Sequence, residues 1–243
     1  MKAIFFLLLG LTVSPLFAQP TISKTLPLRS GQSIRMNFDY PKLIRVSTWT
    51  RNEILVECTV SINSGENNDA FKLITSTEGG SVQISNQLNL KDIPRRITVV
   101  KDGQKLIFKD KGALRKYQEE NGRNFDQMND GADLDILIEV KVPANTETTV
   151  ESTYGLVEVK SFNGPISVRA TYGGIDVSLN ENSIGELNAE TNYGHIYSDL
   201  DLKFTGDRVR EEDFHTVVSA RPGSGPRVNF ESPYGNVYLR KIK

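Results

Sequence analysis

A five-residue phrase recurs four times in the last third of the chain, and it restricts the fold more than any other feature. It reads Glu-Ser-Thr-Tyr-Gly at Glu151–Gly155, Arg-Ala-Thr-Tyr-Gly at Arg169–Gly173, Glu-Thr-Asn-Tyr-Gly at Glu190–Gly194 and Glu-Ser-Pro-Tyr-Gly at Glu231–Gly235. Aligned on the tyrosine, the positions four before it are Val150, Val168, Ala189 and Phe230, and those two before it are Ser152, Ala170, Thr191 and Ser232. Three after it stand Val157, Ile175, Ile196 and Val237; five after it, Val159, Val177, Ser198 and Leu239. Charged or polar residues fill the columns between, so each leg alternates like a strand with one dry and one wet face.

The parity of that alternation flips across Tyr-Gly. A continuous strand keeps its parity, so the chain must bend at each of Tyr154-Gly155, Tyr172-Gly173, Tyr193-Gly194 and Tyr234-Gly235. Glycine suits a bend through its access to positive φ. Each unit is therefore strand, corner, strand. The tyrosines fall 18, 21 and 41 residues apart, and the last interval fits two turns or one turn with an insertion. A period near 20 residues signals stacked repeats, none of which buries its face alone. A meander of hairpins is the competing arrangement; it requires two-residue turns with positive φ at both central residues, with Asn163-Gly164 the best candidate.

The Tyr-Gly-x-[Ile/Val]-x-[Val/Leu/Ser] units, preceded by the Val-Pro-ended strand Ile136–Pro143, resemble the adhesin-like domains of exported bacterial proteins, the DUF4097/DUF2807 type. The resemblance is good over residues 132–243 and loose before them. It implies a one-stranded β-solenoid with no catalytic residues. The expected fold is all-β: a single-stranded, β-helix-like solenoid carrying a charged, part-helical insertion.

Met1–Ala18 has the form of a secretory signal: Lys2, an apolar centre from Ile4 to Val13, and Leu16-Phe17-Ala18 before Gln19. That stretch is too short to span a bilayer as a mature helix, and no second apolar stretch of membrane length follows. With no cysteine after it to carry a lipid, the chain is expected in the periplasm or at the cell surface. Residues 19–131 form an N-terminal β region with an insertion at about 101–131, continuous with the repeats of 132–243. Strands are expected through Ile34-Met36-Phe38, Ile44-Val46, Ile54–Ile62 and Val82-Ile84. Within the insertion, Ala113–Met128 is charged and suits a short helix; the segment either covers a solenoid end or side, or forms a binding loop. Between the third and fourth phrases, Phe204 and Val217-Val218 suit a partial extra rung.

A formal net charge of −1 gives no reason to expect nucleic acid or an anionic membrane as partner. The single cysteine, Cys58, keeps step with Ile54, Val56, Val60 and Ile62 and reads as a buried structural thiol. His195 and His215 are the only histidines, in no zinc spacing; His195 occupies a column that also takes Leu156, Gly174 and Asn236, as a solvent-facing position would. Asp133 and Asp135 share a strand face, but two carboxylates fall short of a calcium site. No nucleophile elbow, phosphate loop or dinucleotide fingerprint occurs. No catalytic, metal or cofactor residue is assigned.

Stacked in sequence order, Glu151, Arg169 and Glu190 form a ladder of alternating sign, and Tyr154, Tyr172, Tyr193 and Tyr234 form an aromatic column, either a stacking device or a flat platform for sugar rings. Tyr197 and Tyr238 lie on the outward parity and, with Trp49 near the turn at Arg51-Asn52, are candidate contacts; Trp49 alternatively packs as a core corner. The expected function is an exported, non-catalytic scaffold binding glycan, cell-envelope or protein partners. A carbohydrate-active enzyme of β-helix type and a structural or signalling spacer are the alternatives.

Overall fold

The computed structural model describes residues 21–205 and 214–242. The signal-like segment 1–18 and the charged run 207–213 lie outside them. The described chain opens with β1 (Thr21–Pro27), β2 (Ser33–Phe38), β3 (Leu43–Trp49) and β4 (Glu53–Ile62), then the hairpin of β5 (Phe71–Glu78) and β6 (Ser81–Leu88). A small unit follows: β7 (Arg96–Lys101), β8 (Gln104–Phe108), α1 (Lys111–Asn121) and β9 (Gln127–Gly131). The chain returns through β10 (Leu134–Pro143) to the repeats. These contribute β11 (Thr148–Ser152) and β12 (Leu156–Val159), β13 (Ile166–Ala170) and β14 (Ile175–Leu179), and β15 (Glu186–Thr191) and β16 (Ile196–Ser198). After β17 (Thr216–Ala220), β18 (Arg227–Glu231) and β19 (Val237–Lys241) complete the fourth.

The fold is all-β. Two eight-stranded mixed sheets hold most of the strands, in the orders β1-β4-β10-β3-β12-β14-β19-β16 and β17-β15-β18-β13-β11-β2-β6-β5, and neither closes into a barrel. The first leg of every repeat lies in the second sheet and the second leg in the first, so Tyr-Gly is where the chain crosses between them. Equivalent legs pair in parallel: Thr148–Ser152 on Ile166–Ala170, and Val157–Val159 on Ile175–Val177. The hairpin meander is thereby excluded, because strands adjacent in sequence within the repeats lie in different sheets. At Asn163-Gly164 only the glycine has positive φ, +145°, and Asn163 accepts from the Asn145 N–H of the rung beside it, at 2.8 Å.

The inward columns of both sheets make one core. Val150, Val168, Ala189 and Phe230 are at most 1% exposed, as are Val157, Ile175 and Val237. The column two before the tyrosine has a polar task. Ser152 donates to the Tyr154 carbonyl at 2.9 Å, Ser232 to that of Gly173 at 2.9 Å, and Thr191 to that of Gly235 at 3.0 Å. Backbone carbonyls turned inward at a corner would otherwise be buried without a partner. Cys58 sits in the same core, wholly buried, and burial pushes its thiol up to about 12.

The glycines answer a different need from the one expected. Among the four corner glycines only Gly155 has positive φ, +108°. What forbids a side chain is the neighbouring rung: a Cβ at Gly173 would meet the Gly155 carbonyl oxygen at 1.7 Å, at Gly235 that of Gly173 at 1.5 Å, and at Gly194 that of Gly235 at 2.0 Å. Backbones pass too close at the corner for any Cβ.

Rung order also departs from sequence order. The fourth repeat inserts between the second and the third: β18 pairs with both β13 and β15, and β19 with both β14 and β16. Of the two arrangements open for the 41-residue interval, one turn with an insertion is the one found, though the turn is not laid on the rung before it. The interval carries β17, antiparallel on the outer edge of β15, before the chain turns back to fill the gap. Phe204 packs against the core from this interval, and Thr205 bridges Ser219.

The small unit is a three-stranded antiparallel sheet with α1, around a separate core of Ile97, Val99 and Leu114. Asp110 caps α1 by accepting from the Ala113 N–H at 2.9 Å. The unit projects beyond the ends of β4 and β10, tied by Arg96–Glu66 and by Asn63, whose side chain donates to the Pro94 carbonyl at 2.8 Å. One end of the stack finishes in β1 and β5, both antiparallel to their neighbours.

Candidate functional site: an exposed aromatic column

Backbone pairing continues through the corners. The Tyr172 N–H donates to the Thr153 carbonyl at 2.9 Å, that of Tyr234 to Thr171 at 3.1 Å, and that of Tyr193 to Pro233 at 2.9 Å. Because the register never slips, the tyrosines are held one above another. Ring centroids are 5.1 Å apart for Tyr154–Tyr172, 5.0 Å for Tyr172–Tyr234 and 5.1 Å for Tyr234–Tyr193, with planes within 16° of parallel. Two residues that the repeat phrase does not mark extend the column. Tyr40 stacks on Tyr154 at 4.9 Å, and Phe214 on Tyr193 at 5.7 Å. Six rings thus span five strand steps, about 24 Å at 4.8 Å each. The four repeat tyrosines are 41–61% exposed and Phe214 73%.

Tyr40 could have been found in the sequence. Met36 and Phe38 precede it at the positions that are buried in every repeat, but Pro41 stands where the others have glycine, and Tyr40 itself takes the positive φ, +64°. Phe214 carries no such signal.

The stack determines what the column can offer. Interior rings turn much of their faces toward one another, so a sugar ring cannot lie flat on them. They present edges and hydroxyls instead, at strand spacing. Beside them, on the outer face of the second sheet, runs Glu151, Arg169, Glu231 and Glu190, in that order. The strictly alternating ladder expected from sequence order is therefore corrected: Glu231 intervenes, is paired with Arg169, and lies next to Glu190. His215 lies at the same place, its Nε2 standing 2.8 Å from a Glu190 carboxyl oxygen. One row further, Asn188 donates to Asn229 at 3.1 Å and accepts from the Ser219 hydroxyl at 2.7 Å.

On the outer face of the first sheet, Tyr197 and Tyr238 stack at 5.1 Å. The Arg240 guanidinium covers Tyr238 at 5.1 Å while gripping Asp176 through two bonds of 2.7 and 2.9 Å. His195 is exposed and meets the Tyr197 ring edge-on at 6.0 Å. Along the same row Arg45 bonds both Glu139 and Glu158. Partial burial draws the Glu158 carboxyl up, but bonds from Arg45 and Lys160 outweigh it and hold the group below its ordinary value.

Trp49 is not brought to either group of tyrosines. It lies at the far end of β3 from the corner, partly buried, its indole N–H bonded to the Glu53 carbonyl at 2.7 Å and its ring under Arg51. Asp133 and Asp135 are each taken by a lysine, Lys105 and Lys42. Among the described residues no three His, Cys, Asp or Glu side chains converge. An open cleft of about 490 Å³, lined by Arg29, Gln32, Asn52, Asn145 and Glu147, lies on the side away from the tyrosine corners. No described helix is long and apolar enough to cross a membrane.

No family profile matches the chain, and no curated protein matches it. Two solved structures are similar over nearly their whole length. One is a "putative cell adhesion protein" from Clostridium sporogenes ATCC 15579, at 11% identity and TM-score 0.48, covering 92% of this chain and 99% of that one. The other is a "putative adhesin" from Bacteroides fragilis NCTC 9343, at 10% identity and TM-score 0.21, covering 93% and 98%. At these values the likenesses add nothing to the geometry, and the functional reading rests on the latter.

Proposed function

We propose that this chain is an exported, non-catalytic, adhesin-like scaffold of the β-solenoid type, acting in the periplasm or at the cell surface. The observation that carries this reading is the six-ring column, whose four repeat tyrosines are exposed and held in register by backbone pairing through the corners. Exposed aromatic side chains in an ordered row are costly to keep in water unless they contact something. The partner that fits is elongated and rich in hydrogen-bonding groups, because the column offers hydroxyls and ring edges at regular spacing. An extended glycan and an extended segment of an envelope protein both meet that description. Many weak, equally spaced contacts on a rigid support add through avidity. The parallel stacking of equivalent legs supports the solenoid reading, and the phrase that produces it is the one that resembles the DUF4097 type.

The test is a binding screen of the purified protein against glycan arrays and solubilised envelope proteins, beside the double variant Tyr172→Ser, Tyr234→Ser with its fold checked by circular dichroism. A partner held by the wild type and released by the variant supports the reading. Equal binding by both moves the site elsewhere, and no binding by the wild type removes the binding claim.

A further inference from the structure

We propose that the tyrosine column is a site of oxidative cross-linking, in which a one-electron oxidant such as a peroxide-charged haem peroxidase joins spatially adjacent tyrosines as dityrosine. The inference is independent of whatever the surface binds. Dityrosine forms when two phenols each lose an electron and a proton, and the two radicals couple through carbons ortho to their oxygens. The hydrogens displaced from those carbons move to oxygen and restore both aromatic rings. One molecule of hydrogen peroxide takes up the two electrons and two protons and leaves as two molecules of water. The chemistry demands two phenols side by side, open to an oxidant, and held together longer than a radical lives.

The column supplies all three. Its tyrosine neighbours are 4.9–5.1 Å apart with planes 5–16° from parallel. The rings leave equivalent corners of successive rungs and stack near-parallel, which brings neighbouring phenols within reach of one another. Exposure of the four repeat tyrosines leaves both the room to swing into contact and the access an oxidant needs. Seven of the eight tyrosines stack on another tyrosine, Tyr197–Tyr238 being the pair outside the column. Tyr117 stacks on no tyrosine among the described residues, its aromatic neighbours being Phe108 and Phe125, and serves as an internal control.

Rung order makes the inference specific. Tyr172 and Tyr193 are close in sequence, but Tyr234 stands between them. Among the four repeat tyrosines, links should join 154 to 172, 172 to 234 and 193 to 234, and not 172 to 193. The two that involve Tyr234 would fasten the inserted rung to both of its neighbours.

Dilute full-length protein would be treated with peroxide and a haem peroxidase, followed by dityrosine fluorescence and mass mapping of cross-linked peptides, each lighter by two hydrogens. The expected result is fluorescence on monomeric protein and the three named links. Tyr234→Phe, which keeps the ring but not the phenol, should abolish 172–234 and 193–234 while 154–172 persists. The proposal is overturned if no dityrosine appears at a dose that converts free tyrosine. It is equally overturned if links occur only between molecules, or if 172–193 is as abundant as 172–234. The wild-type map decides the matter even if the variant folds poorly.

Discussion

Replacing Gly235 by alanine tests whether the corner glycines are there for closeness or for conformational freedom. A Cβ at this position falls 1.5 Å from the Gly173 oxygen, 2.5 Å from its carbon and 2.7 Å from the Ser232 hydroxyl. Carbon and oxygen normally approach to about 3.3 Å, so the rungs must part by roughly 1.5 Å or more. They are held by the Tyr234 N–H on Thr171 at 3.1 Å and the Ile175 N–H on Asn236 at 2.9 Å. Overpacking costs about 1–3 kcal/mol, and each backbone bond broken adds about 1 kcal/mol. Gly235→Ala should therefore destabilise by about 3–5 kcal/mol, lowering Tm by roughly 10 °C in a chain of this size. Gly31→Ala is the comparison. Gly31 has φ +80° and nothing within 4 Å of its would-be Cβ, so only the left-handed backbone is penalised, at about 1–2 kcal/mol. Urea denaturation of both variants gives the two losses directly. Equal losses would refute the steric account and return the corner to an argument from φ alone.

Three further outcomes are expected. Arg169→Glu sets four carboxylates on adjacent rungs and should cost about 1–2 kcal/mol at low ionic strength, with much of the loss recovered near 1 M salt; a salt-independent loss in urea melts would count against the ladder. Cys58 has its thiol raised by burial from 9.0 to about 12. Its contribution is whole below pH 9 and lost as pH climbs through 12, because only the unfolded chain ionises in that window. Stability should fall by about 1.4 kcal/mol per pH unit there, and Cys58→Ala should remove that part of the slope in pH-dependent urea melts. Asp110→Ala removes the cap of α1 and should cost about 1 kcal/mol, seen as faster hydrogen exchange at 111–121 with the Tyr-Gly rungs unchanged.

Much of this architecture was legible because it is periodic. The parity flip at Tyr-Gly requires a corner, and the burial of Val150 with Ser152 and of Val157 with Val159 follows that parity on both legs. The alternation through Ile34, Met36 and Phe38 placed β2, and the charged stretch after Ala113 holds α1. Rung order was not legible, for a physical reason. All four repeats present the same inward pattern, so local sequence cannot say which of them stack; the choice rests on β17 and the turn at 221–226. The role of the corner glycines was hidden for a different reason: a close approach between backbones is invisible until the neighbour is known. The hydroxyls of Ser152, Thr191 and Ser232 were a signal available in the sequence, since a polar group in a dry column needs a partner there. At the site, spacing placed the tyrosines in a column but could not recruit Phe214, whose neighbours resemble no repeat.

The late arrival of the innermost partner has a consequence for how the chain matures. Until Arg227–Lys241 is present, β13 and β15 have no strand between them and every reason to meet directly. That premature union is well matched: it sets Glu190 against Arg169, opposite signs, where the finished molecule sets Glu190 against Glu231. A chain that made this shorter pairing first would have to undo it before the tail could thread in. A protein truncated before Arg227 should collapse into this shorter stack, and mixing it with a 227–242 peptide should fail to rebuild the native order on the timescale of ordinary refolding.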